Sequence, residues 1–81
     1  MKKDIESLTS NVESHIEKFF EMHDGEDPGS GLYQRVIGEV EKILIVKTLI
    51  HVGGIQNKAA KILGINRNTL RKKVKEHGLD K

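Results

Sequence analysis

The stretch QNKAAKILGINRNTLRKKVKEHGL, residues 56–79, decides the fold. It predicts two short helices, over residues 56–63 and 67–77, with a turn at Gly64 between them. The alanine pair at 59–60 is small enough for the second helix to cross close to the first, and Gly64 can take the positive φ of a tight turn. This layout is that of a helix-turn-helix.

The apolar side chains give this stretch an inner and an outer side. The inner faces are predicted to be formed by Ile62, Leu63, Leu70 and Val74, with Ile65 filling the angle of the turn. Asn66 is a good N-cap for the second helix, and Gly78 followed by Leu79 is typical of a glycine C-cap. Once the inner positions are removed, the second helix presents outward Arg67, Asn68, Arg71, Lys72 and Lys75.

The outer side of the second helix carries side chains suited to DNA recognition. An α-helix fits the major groove, where the residues near its N-terminus reach the base edges. Arg67 and Arg71 lie four residues apart on one face, so either can offer a bidentate fork to guanine. Asn68 can pair with adenine or bond a phosphate, and the lysines at 72 and 75 are suited to phosphates.

Charge is distributed unevenly along the chain. Residues 1–54 contain six Lys or Arg against ten Asp or Glu, whereas residues 55–81 contain eight against two. A polyanion is therefore attracted to the last third of the chain and repelled by the rest. This basic segment coincides with the helix-turn-helix pattern, which predicts nucleic-acid binding. A helical dimerisation or docking module with a merely solvated basic tail is the competing interpretation from another class.

The most apolar part of the chain is residues 32–52, upstream of the helix-turn-helix. Its apolar side chains keep helical spacing, and 21 residues without a turn signal are too many for a strand. Ser30 is the predicted cap of this helix, and Gly53-Gly54 is its predicted end. Before it, DGEDPGSG at residues 24–31 predicts a loop. Gly38, inside the helix, marks either a close helix crossing or a tolerated surface glycine.

Residues 4–23 predict another helix, with an apolar stripe at alternating spacings of three and four and either Asp4 or Ser10 as its cap. One helix of this length cannot cover the other long helix, whereas two copies of the pair can. We therefore predict an all-α fold with four helices per chain. Dimerisation helices in residues 1–54 form an intermolecular four-helix bundle, and residues 55–81 form the helix-turn-helix of the same compact domain. The predicted dimer interface comprises Leu8, Val12, Ile16, Phe19, Leu32, Val36, Val40, Ile43 and Leu44.

The residues quoted also match a known family. GGIQNKAAKILGINRNTLRKKVKEHGL at residues 53–79 closely resembles the Fis-type helix-turn-helix family, which includes Fis and the C-terminal DNA-binding domains of NtrC-type sigma-54-dependent response regulators. GINRNTLRKK is the most specific part, and LYQRVIGEVEKILIVKTLI at residues 32–50 resembles the second dimer helix of that family. The resemblance implies a homodimer with intertwined long helices and a helix-turn-helix at each end. It also implies recognition helices set so close together that DNA must bend to meet both.

The resemblance implies a base contact for Arg67 and a base or phosphate contact for Arg71. It implies phosphate or groove-edge contacts for Gln56, Asn57, Asn66, Thr69, Lys72 and Lys73. Ile55 stands where Fis has a polar capping residue, so we expect the first motif helix to start later or to be capped by Asn57. Asn68 stands where Fis has a glycine, which adds a base contact and argues against the loose specificity of Fis.

The predicted function is sequence-specific binding of double-stranded DNA by a homodimer. The favoured form is the DNA-binding domain of an NtrC-type activator that binds an enhancer, with ATPase and receiver modules upstream in a longer chain. The alternative is a Fis-like, nucleoid-associated protein that bends DNA. The chain itself has no Walker A run and so cannot hydrolyse ATP by that route.

Other functions find no support in the sequence. The chain has no cysteine, and its four histidines lack metal-ligand spacing, so we expect no metal site and no cofactor. No serine or carboxylate pair has a catalytic arrangement, which predicts a protein that is not an enzyme and has no small-molecule substrate. The apolar runs are far shorter than a membrane span, and the N-terminus lacks the pattern of a signal peptide. We therefore expect one domain that acts in the cytoplasm, at the nucleoid.

Overall fold

The computed structural model describes residues 2–22 and 30–80, and every regular element in them is an α-helix. The four helices are α1 (Lys2–Met22), α2 (Leu32–His51), α3 (Gln56–Leu63) and α4 (Arg67–Glu76). The predicted all-α fold with four helices is confirmed, and each predicted helix end lies within two residues of the observed end. Across these ranges no helix has the length and apolar character of a membrane span.

α1 is an amphipathic helix none of whose side chains is buried within the chain. It begins at Lys2, so the two predicted caps, Asp4 and Ser10, both lie inside the helix. The rings of Phe19 and Phe20 meet edge to face, with their centroids 5.7 Å apart. The apolar stripe is 36% to 56% exposed at Ile5, Leu8, Val12, Ile16 and Phe20.

The chain divides into two compact units, residues 1–32 and 33–81. The predicted loop at 24–31 lies outside the described residues, apart from Ser30 and Gly31. Gly31, with a φ of +84°, directly precedes α2, and the Ser30 cap stays a prediction. The functional division predicted at residue 54 stays a prediction.

The core of the second unit joins the C-terminal half of α2 to α3 and α4. Its buried apolar side chains are Ile45, Ala59, Ala60, Leu70 and Val74. The partly buried side chains packed around them are Leu49, Val52, Leu63, Ile65 and Leu79. The alanine pair is 0% and 4% exposed, which agrees with the predicted close packing, and Ile65 fills the turn as expected.

The rest of α2 is less buried than its composition suggests. Only Ile45 and Thr48 are buried in this helix, and the Thr48 hydroxyl donates a hydrogen bond to the carbonyl of Leu44 at 2.7 Å. Six large hydrophobic side chains of α2 are 46% to 76% exposed: Tyr33, Ile37, Val40, Ile43, Leu44 and Ile50. Within one chain, α2 therefore packs through one side of its C-terminal half.

Glycine ends both helices of the helix-turn-helix in the same way. Gly64 has a φ of +74°, its N–H donates to the carbonyl of Lys61, and the N–H of Ile65 donates to that of Ala60. After α4, Gly78 has a φ of +67°, and the N–H of Leu79 donates to the carbonyl of Val74. These bonds form Schellman motifs, in which the residue after the glycine packs on the core. The predicted turn at Gly64 and the predicted C-cap at Gly78 are confirmed.

Two predictions for α3 are wrong. Ile62 is 58% exposed and lies off the inner face, because residues 59, 60 and 63 turn the other side of this short helix towards the core. α3 also begins at Gln56 and not later, with Ile55 in extended conformation as an N-cap that makes no side-chain bond. Asn57 is therefore not the cap, and its side chain is used elsewhere, as described below.

Candidate nucleic-acid interface

The N-terminal end of α4 is fixed by its cap. Asn66 stands in extended conformation before the helix, and its Oδ1 accepts a hydrogen bond from the backbone N–H of Asn68 at 2.7 Å. The predicted N-cap is confirmed. The first turn carries no acidic side chain, so its free N–H groups and the positive end of the helix dipole favour an approaching phosphate.

The outward face of α4 is a basic surface, which we call the reading face. Leu70 and Val74 are 0% and 3% exposed and hold the opposite side of α4 against the core. The helix contains five Lys or Arg against a single Glu. The reading face consists of exposed side chains only, and they are Arg67, Asn68, Arg71, Lys72 and Lys75. It is therefore both cationic and rich in groups that can donate hydrogen bonds to bases.

One hydrogen bond links the reading face to α3. The Nη1 of Arg67 donates to the Oδ1 of Asn57 over 3.3 Å. At this length the bond is weak, but it biases the direction of a long and otherwise flexible side chain. The guanidinium keeps further N–H donors for a ligand. The structure thus brings together a predicted base contact and a predicted phosphate contact.

The other predicted phosphate contacts lie near the starts of α3 and α4. Asn57, Asn66 and Thr69 are exposed, and Gln56 is half-buried at the first position of α3. The Oδ1 of Asn66 serves the cap, which leaves the NH₂ group of the same amide as the donor for a phosphate. All these positions belong to the helix-turn-helix.

Lys73 has a different environment from the other lysines of α4. Its Nζ lies 2.8 Å from the Oε2 of Glu41 on α2. The hydrogen bond from Lys73, together with one from His77, holds the pKa of Glu41 below its ordinary value of 4.5. The same bond to Glu41 raises the pKa of Lys73 above 10.5. A phosphate contact by Lys73 stays a prediction, and in the free protein its ammonium is already paired.

Glu41 and His77 are the residues that the sequence did not point to. The Nε2 of His77 lies 2.8 Å from the Oε1 of Glu41, so each carboxylate oxygen meets one side chain at the C-terminal end of α4. The chain separation of 32 and 36 residues hides this contact from any local pattern. The spacing along α4 was one available signal. Lys73 lies three residues after the buried Leu70 and four before His77, so Lys73 and His77 both lie near the side of the helix that faces the core.

Comparison with known proteins gives consistent relatives. A family model described as bacterial regulatory protein, Fis family, matches residues 36–77, which include most of α2 and all of α3 and α4. The DNA-binding transcriptional regulator NtrC of Azospirillum brasilense is 48% identical over 71 residues, which are 88% of this chain and 15% of that protein. The chain therefore spans only a small part of the NtrC relatives it matches.

Shorter proteins match along most of their length. A putative Fis-like DNA-binding protein of Neisseria meningitidis is 39% identical over 79 residues, which are 98% of this chain and 99% of that protein. The DNA-binding protein Fis of Glaesserella parasuis is 40% identical over 72 residues, which are 89% of this chain and 72% of that protein.

Proposed function

This chain belongs to the Fis family of bacterial regulatory proteins and carries its DNA-binding helix-turn-helix, and we propose that it binds double-stranded DNA sequence-specifically as a homodimer. In this proposal α4 enters the major groove and reads base edges. The observation that carries it is the reading face, an exposed cationic surface on a short helix with a capped, acid-free N-terminus. The protein acts by binding, in the cytoplasm, and catalyses no reaction.

Within the groove, base contacts are assigned to Arg67, Asn68 and Arg71. Each arginine fork placed on a guanine is worth about 1–3 kcal/mol of discrimination against another base. The hydrogen bond from Arg67 to Asn57 supports this assignment, because it limits the directions that the guanidinium takes before DNA arrives. The phosphate and groove-edge contacts are assigned to Gln56, Asn57, Asn66, Thr69, Lys72, Lys73 and Lys75.

The dimer is supported by what the single chain leaves uncovered. α1 buries none of its side chains within the chain, although it carries a continuous apolar stripe. α2 exposes a second group of large apolar side chains. Two copies of both helices, packed as a four-helix bundle, would bury these surfaces. The proposed interface keeps the residues predicted for it: Leu8, Val12, Ile16, Phe19, Leu32, Val36, Val40, Ile43 and Leu44.

Of the two biological settings, we favour the DNA-binding part of an NtrC-type activator. The identity of 48% to a protein named DNA-binding transcriptional regulator NtrC supports it, as does Asn68, which gives the reading face an additional base-pairing group. In that setting the dimer binds an enhancer and positions ATPase and receiver modules of a longer chain.

The second setting is a Fis-like protein that binds and bends many sites. The match to nearly the whole of the Neisseria meningitidis relative favours it. The ratio of affinities for specific and random duplexes separates the two settings. A site-specific domain prefers its site by about a thousandfold or more, whereas an architectural protein discriminates far less.

The experiment that tests the proposal is selection of bound sequences from random duplex DNA, followed by titrations with two variants. A palindromic consensus is expected. Arg67→Ala should relax the preference at one base pair of each half-site, whereas Lys72→Ala should weaken all sequences alike and lower the salt slope by about 2 for the dimer. If about six to eight phosphates are neutralised, the wild-type slope of log K on log salt is about −5 to −7. Failure to retain duplex DNA at low salt would instead favour a docking module.

A further inference from the structure

Glu41 joins the C-terminal turn of α4 to the middle of α2. Its two carboxylate oxygens lie 2.8 Å from the Lys73 Nζ and 2.8 Å from the His77 Nε2. The three side chains are 31%, 33% and 17% exposed, so water reaches the pair and it adds little to stability. Directional charged hydrogen bonds nevertheless define geometry more sharply than apolar contacts do. The cluster therefore matters more for where α4 points than for how tightly it packs.

The apolar contacts of α4 allow it some rotation and tilt relative to α2, and the Glu41 cluster restricts both. Leu70 and Val74 anchor the helix through apolar burial, which is strong but has little directionality. Lys73 lies in the last turn of α4 and His77 directly follows the helix, and both meet α2 through Glu41, away from the reading face. A carboxylate bonded to both of them resists rotation of α4 about its axis as well as tilting of its C-terminal turn.

We propose that Glu41 is a positioning residue for DNA recognition, which sets the direction of α4 relative to α2 and thereby the half-site spacing that the dimer accepts. The inference rests on the proposed function, because it requires two chains joined through their long helices. Lys73 then has a second role beside its proposed phosphate contact: through its bond to Glu41 it anchors α4. Glu41 itself touches no DNA. The base preference within each half-site belongs to the reading face and is independent of Glu41.

The test compares Glu41→Gln with Glu39→Gln, a matched control. Both changes remove one negative charge from α2, so both variants gain the same general attraction to DNA. Glu39 is exposed and takes no part in the cluster, so only Glu41→Gln breaks the bonds to Lys73 and His77. Each protein is titrated with palindromic duplexes that carry the selected half-sites at the preferred spacing and at spacings changed by one and two base pairs. Thermal unfolding of each variant verifies that it is folded.

We expect Glu41→Gln to reduce the preference for the best spacing by about fivefold, within the range found for coupled residues of one ion-pair network. Glu39→Gln should keep the wild-type preference, and the penalty for a base change within a half-site should be equal in all three proteins. Lys73→Gln should flatten the spacing preference as Glu41→Gln does. If Glu41→Gln does not fold, the spacing preference of Lys73→Gln alone tests the inference.

Two results would overturn the inference. The first is a spacing preference that is the same in Glu41→Gln and Glu39→Gln. The second is a Lys73→Gln variant that keeps the full wild-type spacing preference, whatever its overall affinity. A wild-type protein that binds duplexes without any preferred sequence or spacing is a separate outcome. It refutes the proposed function, and the inference with it.

Discussion

Replacing Leu8 by alanine is expected to raise the dissociation constant of the proposed dimer by nearly two orders of magnitude. Leu8 lies in the apolar stripe of α1 and is 56% exposed within its own chain. The change removes three carbons, worth about 2.4 kcal/mol if fully buried at about 0.8 kcal/mol per CH₂. The proposed dimer can bury only the 56% of Leu8 that is exposed in the single chain. The loss of binding free energy is therefore about 1.3 kcal/mol per chain and about 2.7 kcal/mol for two chains. At about 1.4 kcal/mol per factor of ten, the dissociation constant rises about 80-fold.

Sedimentation equilibrium over a range of protein concentrations measures that constant. Alanine has the highest helix propensity, so the substitution does not weaken α1 as a helix. Ser7→Ala is the matched control, because Ser7 neighbours Leu8 on α1 but lies off the apolar stripe, and it should leave the dissociation constant within about twofold. Equal constants for Leu8→Ala and Ser7→Ala would refute the assignment of the stripe to the dimer interface.

Three further predictions concern the fold. Gly64→Ala should lower the free energy of unfolding by about 1–2 kcal/mol, because a Cβ at Gly64 meets open space but φ is +74° there; chemical denaturation measures this loss. A Cβ at Gly38 meets no atom of the described residues within 4 Å, so Gly38→Ala should stabilise α2 by up to about 1 kcal/mol in chemical denaturation. A loss of stability that grows with protein concentration would instead reveal a close crossing of two chains at Gly38. The pKa of Glu41 lies below 4.5 in the folded chain, so its contribution is present above pH 4.5 and disappears as the pH falls through the folded pKa. The difference in Tm between wild type and Glu41→Gln should therefore shrink below pH 4.5, and a constant difference down to pH 2 would contradict the role of the carboxylate.

The parts of the fold that depend on local chemistry could be predicted from the sequence. Asn66 and Gly64 work within a few residues of themselves, as an N-cap and as a residue with positive φ, and both were identified correctly. The buried alanine pair at 59–60 followed from the same kind of local pattern. Capping and turn residues are predictable because their partners are fixed by the covalent chain.

The errors arose where a side chain depends on distant partners. Ile62 was assigned to the inner face because it is apolar, but an eight-residue helix turns only a narrow side towards its neighbours. The pairing of Lys73 with Glu41 on α2 has no local signature either, because 32 residues separate the two, and the phosphate contact of Lys73 stays a prediction. Ile55 shows that a short helix can start without a side-chain cap when its other residues pack well.

The absence of any buried side chain in α1 has a consequence for the order in which the protein folds and assembles. The core formed by α2, α3 and α4 lies within one chain, so these helices gain their protection against amide exchange at any protein concentration. α1 buries no side chain within the chain, and a helix without tertiary packing is marginal in water. Its amides should exchange rapidly in dilute protein and slow down only as the concentration rises. In the proposed dimer, the helix-turn-helix unit is thus able to fold within the single chain, and α1 gains its tertiary packing only from the second copy.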